Sequence, residues 1–479
     1  LTIHMHYNYQ PHSFHIPVMG LAYTIDSPIK VAKYGISSVI SIVDDFLIEK
    51  MNEFYSKKYK LQHASISIKD IDYRAKRITS YLNTVDTIVK LKFEKLKNSF
   101  DEQQSELEKY IDLLPDMSTL KQEFSKLITS KMNGSEIRKW IDQHLHPGSI
   151  DVNIMTKVDK ANYDKKEKLP LQFNDAHAAL RGFANSDLSS SLILSAGMNP
   201  RLYSYLEDFK DFYPDSNGFL KKKIVLKVSD FRSAVIQGKF LAKKGIWVSE
   251  FRIESGLNCG GHAFASDGHL LGPILEEFKE GKTALVSELH EIYTKALTQK
   301  NHVVPDRELQ LKITVQGGVG TAEEHNFLLE NYNVDGVGWG TPFLLVPEAS
   351  TVDQPTLNLL KAAKEEDLYL SNVSPLGVPF NNVKGNSNEL LRNERIEKNK
   401  PGSACPKKFL ALNTEFSDRA ICTASKKYQR KKIDMVENFS NEELDIISRD
   451  RITDKSCLCE GLANAALSEY EIQKKGEDQ

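Results

Sequence analysis

Short apolar segments rich in β-branched residues alternate with helical patterns along most of this chain, and this alternation limits the fold more than any other feature. Parallel strands need a crossover connection, usually a helix, so the alternation is typical of parallel α/β proteins. Eight segments resemble strands: FHIPVMG (14–20), SSVISIV (37–43), SIDVNIMT (149–156), SLILSAG (191–197), KKIVLKVSD (222–230), GIWVSEFRIES (245–255), LKITV (311–315) and VDGV (334–337). This number favours a (β/α)8 TIM barrel, an α/β fold, over an open doubly wound sheet.

Two regions do not follow this alternation. Residues 55–147 carry apolar residues at a spacing of about 3.6, with neither Pro nor Gly in 74–114, which predicts a helical insertion after the second strand. We expect it to be a scaffold or a contact between copies in a homo-oligomer; the alternative is a lid over the active site. Residues 381–479 begin as a polar, weakly patterned linker and continue as an extension that contains cysteines. The barrel is therefore predicted to occupy 1–54 and 148–380.

Composition excludes several classes of function. Hydrophobic residues make up 40% of the chain and charged residues 27%, as in globular proteins with a large core. The 63 basic and 65 acidic residues nearly balance, so we expect no general affinity for nucleic acid. No apolar run approaches the roughly 20 residues of a membrane span. Five cysteines and the lack of a secretory signal predict a cytoplasmic protein. The expected partner is a small-molecule substrate.

Glycine-rich turns follow the last two predicted strands, in QGGVGTAEE (316–324) and GVGWGTPF (336–343). In a barrel of this kind the active site lies at the C-terminal ends of the strands, and the loops after strands seven and eight commonly bind a phosphate group. Backbone N–H groups bind the anion there, so side chains must be small or absent. The candidates are Gly317, Gly318, Gly320, Gly338, Gly340 and the hydroxyl of Thr341. Thr321 can cap the helix that follows the first turn. Ordinary turn glycines are the alternative.

A histidine follows the sixth predicted strand, in the sequence CGGHAF. Gly260 and Gly261 allow the chain to pass close to a ligand, and His262 comes directly after them. Histidine suits acid or base catalysis near neutral pH, so His262 is the candidate catalytic residue. A hydrogen-bonded structural histidine is the alternative.

These motifs together resemble the FMN-dependent nitronate monooxygenases, once called 2-nitropropane dioxygenases, and the related flavin-dependent enoyl reductases of fatty-acid synthesis. The resemblance covers residues 14–61 and 148–380 and includes IPVMGLAYTIDSPIKVAKYGISSVIS, DVNIM, SLILSAGMNP and LYLSNVSPLGVPFNNVKG. It implies an FMN cofactor with Met19, Gly20, Asn153 and Gly261 near it and Lys227 on the N1 side of its ring. The glycines of the two turns and Thr341 would hold its phosphate, and His262 would be catalytic.

The resemblance implies oxidation of a small anionic nitronate by oxygen. Its alternative is an enoyl reductase in which NAD(P)H reduces the flavin and an acyl thioester is the substrate. A phosphate-binding barrel without catalytic activity is a third hypothesis, because a fold does not determine a function. The chain departs from the family pattern in two places: SGLN separates Glu254 from CGGH, and Phe264 stands where glycine is usual.

Four of the five cysteines lie in the C-terminal extension: Cys405, Cys422, Cys457 and Cys459. Four cysteines are the ligand set of a structural zinc ion or an iron–sulfur cluster, so a metal site is predicted here. Their spacing matches neither a zinc ribbon nor a ferredoxin motif. Free buried cysteines are the alternative.

Overall fold

The computed structural model describes residues 11–100, 105–116, 118–130, 133–195, 197–254, 271–437 and 449–472. Eight parallel strands close into a barrel: β1 (Phe14–Ile16), β2 (Ser37–Ser41), β3 (Ile150–Met155), β6 (Ser190–Ser195), β7 (Lys222–Val228), β8 (Val248–Glu254), β9 (Lys312–Gln316) and β10 (Gly336–Gly338). β10 pairs with β1, with Gly338 opposite His15, which closes the barrel. A small hairpin of β4 (Tyr163–Asp164) and β5 (Glu167–Lys168) lies between β3 and β6. The predicted (β/α)8 barrel is confirmed.

Successive side chains of each strand face two different environments, as β3 illustrates. Ile150, Val152 and Ile154 belong to the apolar core between the strands and the surrounding helices. Asn153 and Met155 instead line a cavity at the C-terminal end of the barrel. This period of two follows from the opposite directions of successive side chains in a strand.

Helices surround the barrel. They are α1 (Ser27–Val31), α2 (Asp45–Lys58), α7 (Asp175–Ala184), α8 (Pro200–Tyr205), α9 (Phe231–Ala242), α10 (Leu271–Gln299), α11 (Ala322–Tyr332), α12 (Thr341–Leu344) and α13 (Gln354–Ala362). Short polar residues at the N-termini determine where several of them begin. The Asp44 carboxylate accepts hydrogen bonds from Phe46 N and Leu47 N at the start of α2, which satisfies N–H groups that have no partner within the helix.

The helical insertion contains α3 (Tyr73–Lys97), α4 (Glu106–Asp112), α5 (Thr119–Thr129) and α6 (Gly134–His144). α3 packs against α2 and α7, and Arg74 Nη1 binds Asp45 Oδ1 at 2.6 Å. α4 to α6 share an apolar cluster with Tyr34 and Ile36, which immediately precede β2. The insertion therefore contributes one helix to the outer ring, while its other three helices pack beside the N-terminal end of the strands.

After the barrel strands the chain forms a hairpin of β11 (Leu368–Ser371) and β12 (Phe380–Val383), and the C-terminal extension then contains α14 (Ser387–Glu397), α15 (Lys426–Glu437) and α16 (Leu458–Glu469). Ala463, Ala466 and Leu467 of α16 join the main apolar core together with Ile25 and Ile29 beside α1. The last helix thus packs over a part of the barrel that the short helix α1 leaves uncovered. Among the described residues, no helix has the length and apolar character needed to cross a membrane.

Candidate functional site

A cavity of about 440 Å³ lies at the C-terminal ends of the barrel strands. The strands contribute Ser41, Asn153, Met155, Ser195, Lys227 and Glu254, and the loop after β1 contributes Val18, Met19, Gly20 and Leu21. None of the lining residues comes from α3 to α6, so within the described chain the insertion does not cover the cavity. A cavity of this size at the C-terminal face of a TIM barrel is the expected place for a ligand or an active site.

A buried ion pair lies on the strand side of the cavity. Lys227 Nζ on β7 is 2.6 Å from Glu254 Oε2 on β8, and the two residues are only 7% and 3% exposed. Gln316 Nε2 on β9 donates to Glu254 Oε1 at 2.8 Å. The three side chains form a connected polar row across neighbouring strands, in which the lysine and glutamate charges offset each other.

Asn153 supplies a buried acceptor without a partner. Asn153 is 3% exposed, and its Oδ1 atom accepts no hydrogen bond from any described residue. A buried acceptor in this state costs about 1–3 kcal/mol unless a ligand or a water supplies a donor. Because Asn153 lines the cavity, we interpret this oxygen as a binding group for an N–H or O–H of a ligand.

A second polar layer lies within the barrel and was not predicted from the sequence. His15 Nε2 is 3.5 Å from Gln316 Oε1, and a Cβ at Gly338 would lie 2.7 Å from His15 Nε2, so this glycine makes room for the ring. Burial, with a smaller contribution from Arg252, lowers the pKa of His15 to about 3. Burial alone would raise the pKa of Glu250, but Arg252, whose Nε donates to Glu250 Oε1 at 2.8 Å, His15 and Thr314 lower it to about 2.

The two glycine-rich turns begin side by side, because Gln316 and Gly338 are register partners on β9 and β10. Gly317 and Gly318 have φ angles of 93° and 74°, which favour glycine. Thr321 caps α11 as predicted, with Glu324 completing the capping box. The Glu324 carboxylate accepts from Gly320 N at 2.8 Å and from Thr321 N at 3.0 Å, and so occupies part of the predicted anion site.

Three other N–H groups of these turns, those of Gly318, Gly340 and Thr341, have no hydrogen-bond partner within the described chain. The six predicted phosphate-binding residues are not among those that line the cavity, but Leu344, at the end of the α12 helix that Thr341 begins, does line it. The second turn therefore stands close to one end of the cavity. Phosphate binding at these residues stays a prediction.

The four cysteines of the extension lie in one apolar cluster and are free thiols. A hydrogen bond with Cys405, together with burial, raises the pKa of Cys422; a hydrogen bond with Cys457, together with burial, raises that of Cys459. Among the described residues, no three His, Cys, Asp or Glu side chains are arranged to hold a metal ion. The predicted zinc or iron–sulfur site at these four cysteines is therefore not supported by the described residues.

Four of the predicted ligand-binding residues, Met19, Gly20, Asn153 and Lys227, come together around the cavity. Gly261 and His262 lie outside the described residues, so the roles predicted for them stay predictions. The sequence interpretation considered Glu254 only as a departure from the family pattern, and it missed Gln316 as a site residue. The alternation of Glu250, Arg252 and Glu254 along β8 was an available signal, because residues two apart in a strand face the same side.

No protein-family model and no curated protein matches this chain. Among solved structures, a nitroalkane oxidase from Streptomyces ansochromogenes is similar, with 9% identity over 96% of this chain and 97% of its own and a TM-score of 0.35. The enoyl reductase domain of MlnA from the macrolactin biosynthesis cluster of Bacillus amyloliquefaciens has 12% identity, coverage of 76% and 82%, and a TM-score of 0.30.

An IMP dehydrogenase/GMP reductase-like protein from Corynebacterium glutamicum is also similar, with 9% identity, coverage of 70% and 65%, and a TM-score of 0.27. A nitroalkane oxidase and an enoyl reductase are thus among the structures that this chain resembles. The TM-scores and identities are low, so the function is inferred from the site itself.

Proposed function

We propose that the protein is an FMN-dependent oxidoreductase that oxidises a nitronate with oxygen at the C-terminal end of its barrel. The observation that carries this proposal is the unpaired, buried Oδ1 of Asn153 beside the cavity that Lys227 also lines. A flavin ring carries an N–H group that can donate to such an acceptor, and carbonyl oxygens that can accept from a lysine.

The residues present fit the proposed cofactor. Asn153 and Lys227 provide one acceptor and one cation for the ring, and Met19 and Gly20 provide a wall with little side-chain polarity. The N–H groups of Gly318, Gly340 and Thr341, which have no partner among the described residues, are suitable donors for a phosphate. FMN, when bound, would supply the redox chemistry, since the protein's role in such enzymes is to bind, orient and tune the cofactor.

The side chains around the cavity have separate tasks in this proposal. Lys227 would stabilise negative charge on the ligand it faces, and Glu254 would limit that effect because it is held 2.6 Å from the lysine. Gln316 would fix the Glu254 carboxylate by its hydrogen bond. The resemblance assigns proton transfer or the steadying of the substrate anion to His262.

Substitution of Asn153 by leucine tests the ring-binding role. Leucine has a similar branched shape but no polar atom, and the cavity leaves room for its larger volume, so the cofactor-free variant should be at least as stable as the parent, since a buried unpaired oxygen is removed. Its affinity for FMN should fall by roughly 10- to 100-fold. Flavin fluorescence titration and urea unfolding measure the two quantities.

Ser195→Ala serves as the control, because Ser195 also lines the cavity but donates to the Ile154 carbonyl oxygen at 3.1 Å. An Asn153→Leu protein that binds FMN as tightly as the parent would refute the assignment. On the FMN-loaded parent, oxygen consumption with an alkyl nitronate should exceed the rate of enoyl-thioester reduction by NADPH. The reverse result would favour the enoyl-reductase alternative.

A further inference from the structure

The elements that follow the barrel provide about half of the lining of the cavity. We call their lining residues the post-barrel wall: Thr356, Leu359, Leu360, Phe380, Asn381, Asn382, Val383, Asn386, Ser387, Asn388, Leu410, Cys457, Leu458 and Cys459. They come from α13, from β12 and the start of α14, from the cysteine-bearing segment and from the start of α16. Any ligand held at the strand ends therefore has these residues as its other neighbours.

The post-barrel wall contains no charged side chain. Among all the described lining residues, only Lys227 and Glu254 are charged, and they form an ion pair with each other. Phosphate groups in proteins are usually met by Arg, Lys or several main-chain donors, and this wall offers no basic side chain.

Some polar side chains of the post-barrel wall already form hydrogen bonds within the protein. Asn386 Nδ2 donates to the Val383 carbonyl oxygen at 2.7 Å, and its Oδ1 caps α14. Asn382 Oδ1 accepts from Val383 N at 2.9 Å. These amides hold the turn between β12 and α14. The surface left for a ligand is mainly that of Leu359, Leu360, Phe380, Leu410 and Leu458, with the Asn381 and Asn388 amides beside it.

We propose that the post-barrel wall binds the uncharged alkyl chain of the substrate. This inference rests on the proposed function, in which the reacting head group lies near Lys227. The substrates are then amphiphiles with a small head and a straight aliphatic tail, and not molecules attached to a phosphate-bearing carrier or nucleotide. Affinity should rise by about three- to fourfold for each methylene group that the wall removes from water.

The test uses straight-chain primary amides from butanamide to decanamide and the carboxylates of equal length, titrated calorimetrically into the FMN-loaded protein. Affinity should increase with each methylene group until the wall is filled, and the increase should be the same for amides and carboxylates, because the wall contacts the tail and not the head group. Affinity that does not depend on chain length in either series would overturn the proposal.

Two leucines provide matched variants. Leu360→Asn places an amide in the wall and should abolish the chain-length dependence, whereas Leu390→Asn, on α14 but 60% exposed and outside the wall, should retain it. Should Leu360→Asn fail to fold, Leu359→Asn makes the same test. A parent that contains and binds no FMN contradicts the proposed function, while its response to the amide series in the cofactor-free state still decides whether the wall binds alkyl chains.

Discussion

The interior of this barrel contains more charged side chains than is usual for the fold. TIM-barrel interiors are commonly filled by layers of branched aliphatic side chains. Here two buried ion pairs, Glu250 with Arg252 and Lys227 with Glu254, lie among the strands, and the buried His15 ring lies 3.5 Å from Gln316. Because buried charges are tolerated only when paired, substitution of one member should affect the others.

His15 should make the protein sensitive to mild acid. Its pKa is about 3 in the fold and 6.5 unperturbed, so the unfolded chain binds a proton first, and stability is lost as the pH falls below about 6.5. Between about pH 7 and pH 5 the loss from this residue should be about 2 kcal/mol. Glu250, with a pKa of about 2, contributes a loss only below about pH 4.5.

The measurement is urea unfolding of the parent and of His15→Asn at both pH values. The variant should lose about 2 kcal/mol less than the parent on acidification, whatever its stability at neutral pH. His302→Asn, at an exposed position outside the barrel interior, is the control and should behave like the parent. An unchanged pH dependence in His15→Asn would show that His15 is not buried in its neutral form.

At the scale of whole elements, one carboxylate connects the extension with the barrel. Asp44 Oδ1 caps α2, while Asp44 Oδ2 lies 2.7 Å from Lys407 Nζ, and both residues are buried. The helix start directly after β2 is thereby joined to the segment that brings Leu410 to the cavity. We expect the position of the post-barrel wall to depend on this pair.

Lys407→Met should loosen the extension while the barrel stays folded. The substitution leaves the Asp44 charge buried without its partner, which typically costs roughly 3–5 kcal/mol. Proteolysis within the extension should accelerate, and binding of the longer amides should weaken. Lys408→Met, at the exposed neighbouring position, is the control. Equal proteolysis rates in the two variants would contradict a role for the ion pair.

At the scale of the whole molecule, the barrel and the extension share one core. Leu467 of α16 is fully buried in the same apolar cluster as Ile25 and Ile29. Tyr55 Oη also donates to Asp26 Oδ2 at 2.6 Å, and Tyr470, just after α16, donates to the same carboxylate. We therefore expect the extension and the barrel to unfold as one cooperative unit.

Leu467→Ala tests this cooperativity. Loss of a fully buried leucine should lower the free energy of unfolding by about 2–5 kcal/mol, with circular dichroism and the fluorescence of bound FMN changing at the same urea concentration. Leu412→Ala, in the extension but 37% exposed, should cost much less. Release of FMN well before the loss of helical signal would instead indicate that the extension unfolds separately.

The sequence predicts those features that are determined by residues close together in the chain. The strands, the capping of α11 by Thr321 and the glycine turns follow from side-chain periodicity and from backbone rules that act over a few residues. The ion pair of Lys227 with Glu254 and the docking of Lys407 on Asp44 join residues on different elements, so no local pattern revealed them. The metal prediction relied on the number of cysteines alone, and the thiol arrangement does not support it.

The placement of α16 has a consequence for how the protein is made. Leu458 at its start lines the cavity, and Leu467 near its end fills the core beside α1. A ribosome finishes the eight barrel strands well before it adds these residues, so the nascent chain holds a barrel whose cavity still lacks part of its wall. Closure of the binding site should therefore follow the synthesis of all eight strands, and a chain truncated before α16 should hold a nearly complete barrel with an open cavity.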